Sequence, residues 1–169
     1  MPDPAPVFIR ALAQLENSRQ RAALAALRRS LQDGRSLDAA PYVLPFGIGA
    51  SDESSAFVLA GLFSLHPEVG SASIAEALRV VKVRKKSESV ELRFRALLSA
   101  SRTELPVHLR HAISLAASES ISVNWANLYW ALRMWDTEPN NFDGRHPRRQ
   151  WARDFWAEDV QPLTNDSNS

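Results

Sequence analysis

The chain has 169 residues, 45% of them hydrophobic, enough to bury a core of one domain or of two small packed ones, and it has no cysteine, which excludes disulfide frameworks, thiolate zinc sites and cysteine nucleophiles together. Net charge is only +1, from 20 Lys/Arg and 19 Asp/Glu, but residues 71–110 carry nine basic side chains against four acidic, while residues 51–70 carry three acidic and none basic. Such a basic middle either presents an attractive face to phosphates or is an ordinary solvated helical surface.

The opening Met1-Pro-Asp-Pro-Ala-Pro lacks a basic-then-apolar signal pattern, and no apolar run approaches the roughly 18 residues of a membrane span, so a cytoplasmic protein without membrane contact is expected. Nearly every patterned segment repeats at the helical period. Phe8, Leu12 and Leu15 predict a short first helix. Asn17 or Ser18 suits the cap of a second, with Ala23, Leu24, Leu27 and Leu31 on its inner stripe and Gly34 at its end. Pro41-Tyr-Val-Leu-Pro-Phe-Gly47 cannot be helical throughout, and its four apolar side chains predict a packed connector.

A third helix starts at Ser51 or Asp52 and contains Phe57, Leu59, Leu62 and Phe63. Ser73 and Glu76 have capping-box spacing and open a fourth, through about Val83. The charged stretch Lys82–Ser89 reads as a linker between two halves. Val90, Phe94, Leu97 and Leu98 share a face of a fifth helix. Thr103 is expected to cap a sixth, with Pro106 in its first turn and Leu105, Leu109, Ala112, Ile113 and Ala116 facing inward. Trp125, Leu128, Leu132 and Trp135 define a seventh. A Gly/Pro/Asn-rich loop from Thr137 to Pro147 precedes an eighth with Trp151 and Phe155, and the tail Gln161–Ser169 is polar. The expected fold is all-α, about eight helices in two small bundles packed together: an amino-terminal lobe over 1–84, a carboxy-terminal lobe over 85–160 and a flexible polar tail over 161–169.

His108 and His111 lie three apart on the sixth helix, but no acid completes a metal-binding helix motif, and a third ligand would have to come from His146 or Asp143. No glycine-rich phosphate loop, nucleophile elbow or carboxylate cluster is present, so neither cofactor, metal nor catalysis is expected. Trp125 and Trp135 share a face with leucines and read as core rather than as base-stacking platforms; Trp130 and Met134 fall elsewhere on the helix. The arginines suggest more. Arg21, Arg28 and Arg29 occupy the polar side of the second helix, and Arg93 and Arg95 flank the stripe of the fifth. Arg102 and Arg110 belong to the start and outer side of the sixth, and Arg148, Arg149 and Arg153 decorate the last. Guanidinium groups on rigid helices suit a sugar–phosphate backbone, each able to donate two parallel hydrogen bonds to a phosphate.

An ordered set of strings then points to a family. Ala25-Ala-Leu-Arg-Arg-Ser-Leu31, Pro41-Tyr-Val-Leu-Pro-Phe46 and Ser89-Val-Glu-Leu-Arg-Phe-Arg-Ala-Leu-Leu98 are followed by Ser101-Arg-Thr103, Val107-His-Leu-Arg110, Val123-Asn-Trp125 and Arg149-Gln-Trp-Ala-Arg-Asp-Phe155. Each is weak alone; in this order and spacing, over residues 7–157, they resemble the CasB family, the small subunit of the type I-E CRISPR Cascade complex. The resemblance implies two helical lobes and no enzymatic activity. It also implies two copies within one complex of other Cascade subunits, crRNA and target DNA, holding the opened DNA and its displaced strand in antiviral defence. Guide pairing would read the sequence while the protein supplies charge and shape. Carried over by motif, the nucleic-acid contacts would be Arg28, Arg29, Arg93, Arg102 and Arg110, with Lys85 and Lys86 added; Ser99 and His111 stand where some relatives have basic residues. The competing readings are a helical adaptor whose arginines pair with acidic partners, and a metal-dependent nuclease.

Overall fold

A computed structural model describes residues 3–32, 35–137 and 146–157. Helix α1 spans Ala5–Asn17 and buries Phe8, Ile9 and Leu12. Arg19, in the left-handed conformation (φ 52), reverses the chain into α2, Arg21–Arg29, which buries Ala23, Leu24, Ala26 and Leu27. Asn17 belongs to α1, so the expected side-chain cap of α2 is absent; Gln20 precedes the helix without a capping hydrogen bond. After a 3-10 turn Ser36–Ala39, the proline-rich connector, expected not to be helical throughout, is helical up to Phe46 by changing type: α3 (Ala40–Val43) passes into a second 3-10 turn, Leu44–Phe46, and Gly47 ends it. Pro41 and Pro45 fit because each sits in a first turn, where an amide N–H has no partner to lose. Val43 is fully buried and Tyr42 and Phe46 half-buried, whereas Leu44, expected to tuck in, faces solvent.

Helix α4, Glu53–Phe63, is buried on most sides. Its Gly61 lets the end of α2 approach: a Cβ there would lie 3.2 Å from Leu27 O and 2.6 Å from side-chain carbons of Leu31, just past that helix. Helix α5, Ile74–Lys85, is capped as its sequence predicts, Ser73 Oγ accepting from the Glu76 amide at 3.1 Å. Lys82–Lys85, expected in a linker, instead complete α5, because Val81 is buried and Lys82 is held by Glu91 of the next helix. The turn is only Lys86 (φ 48) and Ser87 before α6, Glu88–Ser99. The cations of this stretch therefore stand on a rigid helix end.

Helix α7, Leu105–Ser118, buries the five residues expected to face inward. Its N-cap is Glu104 rather than Thr103, and the Glu104 carboxylate reaches back to accept from the Ser101 amide and hydroxyl. Helix α8 is Trp125–Met134, capped by Asn124, and α9 is Pro147–Trp156. The rest of the predicted 137–147 loop and the tail Gln161–Ser169 lie outside the described residues.

The architecture is all-α, with nine helices among the described residues. One cluster of buried side chains runs from Ala5 to Phe155 and draws on helices either side of residue 84: α5 packs on α6, α7 and α9, and α4 on α2, α7 and α8. Trp125, Trp135 and Trp151 are its largest members, and each indole N–H is satisfied, by Glu68 O, Ala100 O and Asn127 Oδ1. A four-residue strand, β1 (Val69–Ala72), makes parallel bridges with Val123; Val-Gly-Ser-Ala offers no alternation that could have announced it. No described helix is long and apolar enough to cross a membrane.

Candidate nucleic-acid interface

Helices α5, α6 and α7 frame a groove made of two adjoining hollows of about 270 and 430 Å³. Leu78, Ala96, Ala112 and Leu115 supply an apolar floor. Lys85, Arg93, His108 and His111 line the walls, with Ser114 and Ser118 beside them, and among the described residues no carboxylate lines either hollow. Arg93 is exposed and makes no ion pair with any described residue. Among the described residues Lys85 has only long contacts, 3.4 Å to Ser118 Oγ and 3.8 Å to Glu119. Arg110, next to His111 on α7, and Lys86, at the left-handed turn, are likewise exposed with no partner among the described residues.

Neighbouring cations are spoken for. Glu91, on α6, takes both Lys82 at 2.5 Å and Arg95 at 2.8 Å. The hydrogen bond from Lys82, then that from Arg95, lower its carboxyl to about 2. Arg95 also lies 4.9 Å from the ring of Trp156, a half-exposed indole that no apolar stripe in the sequence singles out.

On α2, Arg28 donates to Ser64 O at 3.2 Å and Arg29 pairs with Asp38 at 3.2 Å; both remain solvent-exposed. Arg28 reaches the end of α4, His66 Nε2 meets Ile121 O at 2.7 Å, and Arg84 donates to Glu119 O at 3.0 Å. These contacts bring the carboxy-terminal ends of α2, α4, α5 and α7 together, where basic side chains also complement the negative ends of the helix dipoles.

Arg102 departs from its expected outward position. It donates to Leu132 O at 2.7 Å and Ser55 Oγ at 2.8 Å and pairs with Asp136 at 3.4 Å, tying α4 to the end of α8, with its side chain 35% exposed. Its fork finds internal acceptors, so burial of the stem costs no unsatisfied donor. Arg148 likewise turns inward instead of decorating α9: it lies 4.3 Å from the Trp135 ring and donates to Leu98 O and Ala100 O. Arg149 and Arg153 do face solvent.

The histidine pair appears where the sequence offered only its spacing. His108 and His111 belong to the groove wall, whereas His146 is buried and engaged with Thr137 O and the Arg148 amide. Among the described residues no group of three or more His, Cys, Asp or Glu is placed to hold a metal ion; Asp143 lies outside them.

The profile of the family described as CRISPR-associated protein Cse2 matches residues 23–156. A curated CRISPR-associated protein Cse2 of Thermus thermophilus is 32% identical over 142 residues, covering 80% of this chain and 79% of the relative. A crystal structure of a Cse2-family protein from the same organism superimposes with a TM-score of 0.77 at 30% identity, over 93% of this chain and 100% of that one. The crystal structure of M. ruber CasB gives 0.70 at 27% identity, over 92% and 93%. A chain of a CRISPR RNA-guided surveillance complex shares the fold, with a TM-score of 0.71 at 22% identity over 90% and 91%.

Proposed function

The chain belongs to the CRISPR-associated Cse2 family, and from that premise we propose that it is a non-catalytic subunit of a Cascade-type, RNA-guided surveillance complex in the cytoplasm. Within it, two copies would hold crRNA-guided target DNA open by binding nucleic-acid backbone without regard to sequence. The observation that carries the reading is the pair Arg93 and Arg110, exposed on adjacent family-matched helices without an acidic partner among the described residues. Lys85, Lys86, Arg28 and Arg29 extend the basic surface, with Arg28 and Arg29 already partly engaged. Arg102 is better read as a clamp within the fold.

A phosphate bound by such cations releases counterions, so affinity must fall as salt rises. The full chain should bind DNA or RNA of unrelated sequences alike, at roughly 10⁻⁴ to 10⁻⁶ M near physiological salt. Fluorescence titration at several salt concentrations checks this; affinity indifferent to salt, or a strong preference for one sequence, would remove the reading. The adaptor alternative finds support in a second place, an apolar cleft of about 140 Å³ between α1 and the α3 region, lined by Leu12, Leu15, Tyr42 and Phe46. The two readings share one molecule if that cleft meets another subunit while the basic groove meets nucleic acid.

A further inference from the structure

Most of the groove between α6 and α7 is apolar, which a site for phosphates alone does not need. Ala96, Ala112 and Leu115 form its floor, Leu92 stands exposed at its rim, and two imidazole rings, His108 and His111, project from one turn of α7. Arg93 lines both hollows, and Lys85 closes the far one. At about 270 Å³ the nearer hollow falls just below the roughly 300–1,000 Å³ of a site for a drug-sized ligand, so it suits a fragment of one. The absence of a lining carboxylate and of a partner for Arg93 among the described residues selects an anionic occupant.

Resting on the nucleic-acid reading above, we propose that this groove is a subsite for one nucleotide of a single strand: the base enters the hollow of Ala96, Ala112 and Leu115 beside the His108 and His111 rings, and its phosphate meets Arg93 and Lys85. Duplex DNA keeps its base faces stacked and offers the protein phosphates and groove edges, so an apolar floor gains nothing from it. A single strand exposes base faces that stack on aromatic, imidazole or guanidinium planes whatever the base. The site therefore prefers single strands without reading sequence.

The test compares binding of the full chain to a thymidine oligonucleotide, to a strand of equal length and charge carrying abasic residues, and to a blunt duplex. Wild type should favour the base-bearing strand over the abasic one on the order of tenfold. Ala96→Gln, an exposed helical position that fills the hollow, should bring that ratio near one while leaving the salt slope intact. His111→Ala should lower the ratio and His111→Phe restore it. Arg93→Ala should keep the ratio but reduce the salt slope by about 0.7. Equal binding of base-bearing and abasic strands, or of duplex and single strand, overturns the subsite while salt-dependent binding still upholds the backbone reading. No salt-dependent binding to any of the three overturns both.

Discussion

At the scale of single residues, what separates the arginines is whether the fold already supplies them with acceptors. Sequence places Arg93, Arg102, Arg110 and Arg148 alike on polar faces, and helical period alone cannot distinguish them. The distinction is tertiary: Arg102 and Arg148 reach carbonyls at the ends of helices 30 to 50 residues away in sequence, and Arg93 and Arg110 reach none among the described residues. The acid that organises this region, Glu91, makes a prediction of its own. Its folded carboxyl titrates at about 2, held down first by the Lys82 hydrogen bond and then by Arg95, against an ordinary value of 4.5. A depressed carboxylate contributes stability that is complete above the unfolded value and lost as pH falls through the folded one. The wild-type melting temperature should therefore fall on going from about pH 5 to pH 2, and Glu91→Gln should flatten that part of the profile. A Glu91→Gln protein that loses as much stability as wild type over this range would dissociate the pair from acid sensitivity.

Among the elements, the helices were legible where an apolar stripe coincided with a chemical start signal. Ser73 and Glu76 announce α5, whereas the inner set of α7 follows from its apolar stripe alone, its expected cap, Thr103, lying one residue before the observed Glu104. Boundaries that depend on tertiary partners were not legible. Lys82–Lys85 looks like solvent-exposed linker until Glu91 of the facing helix is in place, and β1 exists only because Val123 runs beside it. Ser73 combines both kinds of information, since its hydroxyl accepts from the Glu76 amide and donates to Asp154 of α9 at 2.9 Å. Ser73→Ala should then cost more than an isolated cap, about 1 to 2 kcal/mol, because it frees an amide and leaves Asp154 short of a donor. Ser73→Asp separates the two contributions: it restores the cap but sets a carboxylate against Asp154. Chemical denaturation should rank wild type above both variants, and an unchanged Ser73→Ala midpoint would mean that the α5–α9 contact is dispensable.

For the molecule as a whole, the continuous core from α1 to α9 and the groove of α5, α6 and α7 make separable demands on side chains. The groove itself lies beyond sequence reading, because its walls come from three helices and the spacing of its histidines speaks only to metal ligation. Two variants set the demands against each other. The Arg93→Ala, Arg110→Ala pair removes exposed cations that hold no described residue in place, so folding stability should change by no more than about 0.5 kcal/mol per site. Each lost phosphate contact should lower the salt slope by about 0.7 to 0.9. Arg102→Ala takes the opposite course: removing a charged donor to Leu132 O and Ser55 Oγ should cost about 1–3 kcal/mol, a melting point lower by several degrees, with the salt slope unaltered. In the assembled complex the Arg93→Ala, Arg110→Ala double variant should still co-purify with its partner proteins yet hold opened DNA less tightly. An adaptor that works through protein contacts alone predicts the converse, loss from the complex with the DNA affinity of the free chain untouched. A pull-down, a melting curve and a salt titration on the same preparations decide between them, since only a nucleic-acid groove moves the third measurement without moving the first two.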